Sequence, residues 1–176
     1  MSFAAKAKGR ELAYITRILN VFGIVDQTHM RRLFSYLSDE AYGKILMRLV
    51  REGLVYWPKG GTSLAASRLI LGRTNTADSS MCFLAFIALK DKIDDFCAGE
   101  PPAIVTIKSS LAQCDVIPLN SQNTDLINRS ADGMPEKVKR FLVTYDALLL
   151  SDIQRRFRND YVMLIGENED VVTYEL

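Results

Sequence analysis

Apolar residues recur at helical spacing through the first part of this chain, and the pattern changes to short β-like runs in the second. From Arg10 to Phe22, Leu12, Ile15, Leu19 and Phe22 lie three or four residues apart, which predicts an amphipathic helix stopped by Gly23. Ile24-Val25 is a short apolar step, and Asp26 is a good N-cap for a second helix over Gln27–Tyr36. Met30, Leu33, Phe34 and Leu37 supply its inward side. Ser38 caps a third helix running to about Glu52, with Asp39 and Glu40 favourably placed in its first turn. Ile45, Leu46, Leu49 and Val50 form its inward face, and Gly53 stands where a left-handed C-terminal cap is wanted. Leu54–Trp57 is strand-like, Pro58-Lys59-Gly60-Gly61 is a turn cluster, and Leu64–Leu71 is a return segment, together predicting a β-hairpin.

Thr74–Ser80 is polar, lacks periodicity and reads as a linker. Met81–Cys97 reads as a long helix with Cys82, Phe86, Leu89, Ile93 and Phe96 on one stripe; its first half is apolar nearly all round, which implies burial on more than one side. Gly99-Glu100-Pro101-Pro102 breaks it. Strands are expected over Ala103–Ile107 and Cys114–Leu119, with Pro118 confining the latter to an edge or a strand end. Gln122–Arg129 is weakly helical, and Ala131–Pro135 is a loop. Arg140–Tyr145 is the clearest strand, and Leu148–Phe157 a helix. Tyr161–Ile165 and Val171–Tyr174 are strands flanking the turn Gly166–Asp170. The alternation predicts a small α/β layer with a mixed sheet. The expected division is therefore 1–75 and 76–176.

Charge sharpens that division. Residues 1–75 hold 12 Lys+Arg against 5 Asp+Glu, a balance of 12 − 5 = +7. Residues 76–176 hold 10 against 16, a balance of −6, so the net +1 of the whole chain hides a basic half and an acidic half. A basic half suits a polyanionic partner. At 48% hydrophobic and 24% charged, a chain of 176 residues can bury a core. Met1–Lys8 is short and basic with no apolar stretch behind it, so no signal peptide is expected. The longest apolar run, Met81–Leu89, falls far short of the ~20 residues of a membrane span, so no membrane partner is expected. Cys82, Cys97 and Cys114 are odd in number, widely spaced and without a Cys-x-x-Cys pair. They read as buried thiols of a reducing cytoplasm, not as zinc ligands. If Cys82 and Cys97 share one helix, about 22 Å of rise keeps them from bridging. The single histidine, His29, reads as ordinary and partly exposed.

The stretch Ile24-Val25-Asp26 … Met30-Arg31-Arg32-Leu33 … Leu46-x-x-Leu49-x-x-x-Gly53-Leu54-Val55 resembles the winged helix-turn-helix superfamily of bacterial regulators and replication proteins. The resemblance implies that the third helix lies in the major groove of duplex DNA. Of its outward residues, Tyr42, Lys44 and Arg48 are candidates for base edges or phosphates, and Arg51 for the backbone. Arg31 and Arg32 on the second helix, Lys59 at the wing tip, and Arg10 and Arg17 on the first helix would neutralise phosphates. Tyr56 and Trp57 on the wing strand are candidates for sugar contact or stacking, with at least one of them expected in the core. Asp39 and Glu40 count against DNA unless they accept from cytosine amino groups. The second half is similar in element order to the restriction-endonuclease-like core, and the whole chain resembles the replication-relaxation family of plasmid and conjugative-element proteins, or a related uncharacterised family carried by bacterial mobile elements. That nuclease pattern needs Pro-Asp followed by carboxylate-x-Lys, because two carboxylates hold a metal while a lysine assists the water. Here Ala103 follows Pro102, and Ile117 stands two positions after Asp115, so the site is degenerate.

The class expected is α+β or α/β: an N-terminal winged helix-turn-helix and a small mixed-sheet α/β domain. The expected function is a non-enzymatic, cytoplasmic duplex DNA-binding protein, a regulator or a replication or mobilisation accessory protein of a bacterial mobile element. No cofactor, metal or catalytic residue is expected. No phosphate-binding glycine loop, dinucleotide fingerprint or nucleophile elbow is present. A homodimer is expected through the Met81–Cys97 helix, since palindromic sites call for a two-fold. Two alternatives stand beside this: a metal-dependent nuclease with rearranged carboxylates, Asp115 and Asp146, and a protein-interaction adaptor. Asp146, Asp152 and the run Glu167–Asp170 otherwise read as helix-start and hairpin-turn acids.

Overall fold

The computed structural model of the chain describes residues 3–70, 76–110, 112–130, 138–153 and 160–175. It is an α+β protein that divides into two compact units, Met1–Ser80 and Met81–Leu176. The expected loop at 131–135, the end of the expected helix at 154–157, Leu71 and Thr74-Asn75 lie outside the described residues.

Unit 1 follows the order of helices its sequence predicts, but the second helix ends at Leu33, short of the expected Tyr36. Helix α1 (Phe3–Phe22) buries Ile15, Ile18, Leu19 and Phe22. Gly23, at φ +75°, ends it and donates its N–H to the Leu19 carbonyl at 2.8 Å. Strand β1 (Ile24–Asp26) pairs antiparallel with β2 (Ser63–Ala65). Asp26 then turns the chain into α2 (Gln27–Leu33), its carboxylate accepting from the Thr28 N–H at 2.7 Å. Ser38 does the same for α3 (Asp39–Arg51), its hydroxyl accepting from the Ala41 N–H at 3.2 Å. Gly53, at φ +71°, carries the chain out of α3. The expected hairpin is reduced to one bridge, in which Tyr56 and Ala65 exchange backbone bonds of 2.8 and 3.0 Å.

The boundary between the units falls within α4 (Thr76–Leu89), so residues 76–80 are helix and not the linker the sequence suggested. The expected helix over Met81–Cys97 is corrected as well. It stops at Leu89, a single 3-10 turn covers Lys90–Lys92, and strand β3 (Asp95–Ala98) follows. Cys82 and Cys97 thus sit on different elements. Cys82 and Cys114 are buried, but Cys97 is exposed, which corrects the expectation of three buried thiols.

Unit 2 holds a six-stranded mixed sheet in the order β3-β4-β5-β6-β7-β8. Strands β4 (Val105–Lys108) and β5 (Gln113–Pro118) extend an antiparallel meander from β3. Strands β6 (Val138–Thr144) and β7 (Asp160–Ile165) run parallel to β5, and β8 (Val171–Glu175) returns antiparallel. Pro118 ends a central strand; the next residue, Leu119, donates its N–H to Val143 at 2.7 Å. Parallel neighbours need crossovers. Helix α5 (Thr124–Ser130) lies in the first, and in the second a 3-10 segment, Ala147–Asp152, replaces the described part of the helix expected over Leu148–Phe157. Side chains alternate across a sheet, so Ile117, Leu142 and Val162, paired in register, share one face. Ile127 of α5 and Ile153 close over them. Two residues earlier on the same face runs a polar row, Thr106, Asp115, Arg140 and Asp160, also in register.

Candidate nucleic-acid interface

The inner face of α3 is fixed by Tyr42, Leu46 and Leu49, all buried. Full burial of a leucine is worth about 1.5–3 kcal/mol. The opposite face carries Glu40, Lys44, Met47, Arg48 and Arg51, all exposed. Lys44, Arg48 and Arg51 follow one another at i, i+4 and i+7, a stripe about 10 Å long at 1.5 Å rise per residue. Lys44 is ion-paired with Glu40, and Arg48 with Glu52 at 2.6 Å. Exposed pairs of this spacing contribute only about 0.3–0.5 kcal/mol. The outer charges of α3 therefore contribute little to folding and are available to a ligand.

Tyr42 must be moved from the outward to the inward set. It is 3% exposed, and its ring meets Phe34 at 6.2 Å between centroids. Burial pushes its hydroxyl well above the ordinary tyrosine range, with Arg31 pulling weakly against that. The hydroxyl makes no hydrogen bond among the described residues. The sequence signal was present: Tyr42 is four residues before Leu46, on the same face of the helix.

Arg31 is occupied by the fold. Its guanidinium donates to the carbonyls of Phe34 at 2.6 Å and Leu37 at 2.8 Å, and meets the Asp39 carboxylate at 2.9 Å. Its cationic carbon stands 5.4 Å from the Tyr42 ring centroid. One side chain thus ties the end of α2 to the start of α3 and fixes the turn between them. Arg32, Arg10 and Arg17 are exposed on their helices. Lys59 is exposed on the turn after Pro58, where Gly61 donates its N–H to the Pro58 carbonyl at 3.0 Å. Gly60, at φ +76°, allows that turn. Tyr56 and Trp57 are both half-buried, and the Trp57 indole N–H donates to Gly61 at 2.8 Å. His29 corrects another expectation. It is buried in unit 1, with Nδ1 3.3 Å from the Ser80 hydroxyl.

Asp115 and Asp146 do not converge. Asp115 is level with Arg140 in the sheet, and Asp146 lies 146 − 140 = 6 residues further along β6 and beyond it. At about 3.3 Å per residue that is roughly 15–20 Å, too far for one metal ion. Asp146 caps the 3-10 segment, accepting from the Leu148 N–H at 2.9 Å. Ile117, where the nuclease pattern needs a lysine, is 1% exposed in the apolar cluster. Among the described residues no group of three or more His, Cys, Asp or Glu is placed to hold a metal ion. Among them too, no helix is long and apolar enough to cross a membrane. Comparison with protein families, with curated proteins and with solved structures gives no match to this chain.

Proposed function

We propose that unit 1 is a winged helix-turn-helix that binds duplex DNA, presenting α3 to the major groove and Lys59 to the backbone. The exposed stripe of Lys44, Arg48 and Arg51, set on a helix anchored by its other face, carries this reading. Phosphates would compete with Glu40 and Glu52 for Lys44 and Arg48, and so exchange weak surface pairs for charge-assisted contacts. Unit 2 is a non-enzymatic partner of this module, a degenerate relative of the nuclease-like core. The role is that of a regulator or a replication or mobilisation accessory protein in the cytoplasm. The test is fluorescence anisotropy on mixed duplex fragments across a salt series. Binding should weaken with salt, and Lys44→Glu with Arg48→Glu should flatten the logarithmic salt slope by about 2. A complex indifferent to both salt and that double variant, or no complex, sinks the reading.

A second reading has its own observation. On α3 and its C-cap, Lys44, Arg48 and Arg51 are matched by Asp39, Glu40 and Glu52, a sum of 3 − 3 = 0, and Met47 among them is 62% exposed. Balanced charge around an exposed methionine suits a protein partner better than a polyanion. An adaptor of that kind would show no nucleic-acid affinity at any salt.

A further inference from the structure

The two edges of the unit 2 sheet differ. Strand β3 carries Asp95, follows Asp94, and is succeeded by Gly99-Glu100-Pro101-Pro102. Charges and prolines of this kind blunt an edge against pairing. Strand β8 reads Val171-Val172-Thr173-Tyr174-Glu175, with no lysine, arginine or proline, and ends the strand order. Val172 and Tyr174 share a face and are 43% and 53% exposed.

Backbone alternation decides which groups this edge offers. Gly166 donates its N–H to the Asp170 carbonyl at 2.9 Å, closing the β7–β8 hairpin. Bonded pairs alternate along an antiparallel ladder. In the observed register the next bonded pairs are Leu164–Val172 and Val162–Tyr174. The N–H and C=O groups of Val171, Thr173 and Glu175 are therefore turned to the open side.

We propose that β8 pairs antiparallel with β8 of a second copy of this chain, about a two-fold axis at Thr173. The two Thr173 residues then form a hydrogen-bonded pair, and Val171 of each copy bonds Glu175 of the other. Val172 of each copy faces Tyr174 of the other in a non-bonded pair, where side chains approach most closely. Aromatic–β-branched and threonine–threonine pairs are both favourable across strands. The charge pattern selects this register: Glu175, the strand's only charge, meets Val171 and not its own copy. An interface of one strand from each copy is small, so the dimer is concentration-dependent. This inference stands apart from DNA binding, since it rests on unit 2 alone.

Sedimentation equilibrium of the full chain, without nucleic acid, tests it. The wild type should shift from one to two chain masses as concentration rises. Thr173→Pro should hold it at one, because the lost N–H faces outward and the β7–β8 ladder is spared. Val172→Lys sets a charge against Tyr174 and should weaken association by about tenfold or more. The double variant Val172→Lys/Tyr174→Glu sets opposite charges across the axis and should recover most of that loss. Recovery keeps the test informative even if the proline variant misfolds. A wild type monomeric up to its solubility limit overturns the proposal, as does a dimer whose strength ignores Val172→Lys.

Discussion

The two units use the same residue types in opposite ways. Unit 1 carries two ion pairs on the outside of α3, where Lys44–Glu40 and Arg48–Glu52 meet one helical turn apart in water. Unit 2 takes an arginine and an aspartate inside. Arg140 and Asp160 are cross-strand neighbours, each fully buried, joined through two donors, with Nε to Oδ1 at 2.9 Å. Arg140 also reaches the Ile127 carbonyl in α5 at 3.4 Å, so one guanidinium joins two strands and the crossover helix. An exposed pair is a loose ornament, worth a few tenths of a kcal/mol. A buried pair is a constraint: desolvation offsets much of its attraction, but losing one member strands a charge.

That contrast can be broken most forcefully at Arg140. Arg140→Met should cost about 3–5 kcal/mol in chemical denaturation, because Asp160 is left buried and unpaired. Arg140→Met with Asp160→Leu should recover a large part of the loss. Lys44→Ala, measured alongside, should stay within about 0.5 kcal/mol of wild type. Equal losses at Arg140 and Lys44 would erase the distinction.

A smaller effect is expected at the α2 cap. Burial alone would raise the Asp26 carboxyl, but hydrogen bonds from Thr28 and Thr62 outweigh it and hold the pKa below the ordinary aspartate range. A depressed folded pKa contributes stability above the unfolded value of about 3.9, lost as pH falls through the folded one. Asp26→Ala should cost about 1 kcal/mol at neutral pH, most of that in the cap, and the gap should narrow in acid. A penalty independent of pH would remove the carboxylate from the account.

The smallest effect has the opposite sign. Burial raises the Asp115 carboxyl, the Thr106 hydroxyl bond at 2.6 Å lowers it, and Glu100 raises it further, leaving the pKa above its usual value. A raised acid costs stability once pH exceeds the unfolded value, and costs nothing well below it. Asp115→Asn keeps an acceptor for Thr106 and should raise the melting temperature at neutral pH, with the gain fading in acid. A lower melting temperature at neutral pH would show that Asp115 serves better charged.

Legibility differed between the units for the same reason as their charge economy. The caps Asp26 and Ser38, the stop at Gly23 and the turn at Gly53 act within four residues of themselves, and each was readable from spacing alone. Tyr42 and His29 were misplaced because outward and inward are decided by what packs above, not by residue type. Strand β3 was hidden because Ile93 and Phe96 continue the helical stripe of α4, and only pairing with β4 makes Asp95–Ala98 extended. The strand β8 is legible in its run of β-forming residues, but its place at the end of the sheet is set by pairing with β7 alone among the described strands. The charge stripe on α3 is legible in the spacing of Lys44, Arg48 and Arg51, and its pairing with Glu40 and Glu52 follows the same i, i+4 rule.

By itself the sequence determined the caps that start α2 and α3, the glycines that follow α1 and α3, which half is basic, and that β5, β6, β7 and β8 are strands. Caps, turns and periodicity are local, and local free energies of about 1 kcal/mol are written in neighbouring residues. The tertiary structure alone decided strand order, the register that sets Arg140 beside Asp160, and that β3 and β8 stand at the two ends of the described sheet. Those depend on residues far apart in the chain, whose pairing is fixed only when burial selects the register that puts apolar side chains on the covered face and pairs the buried backbone groups.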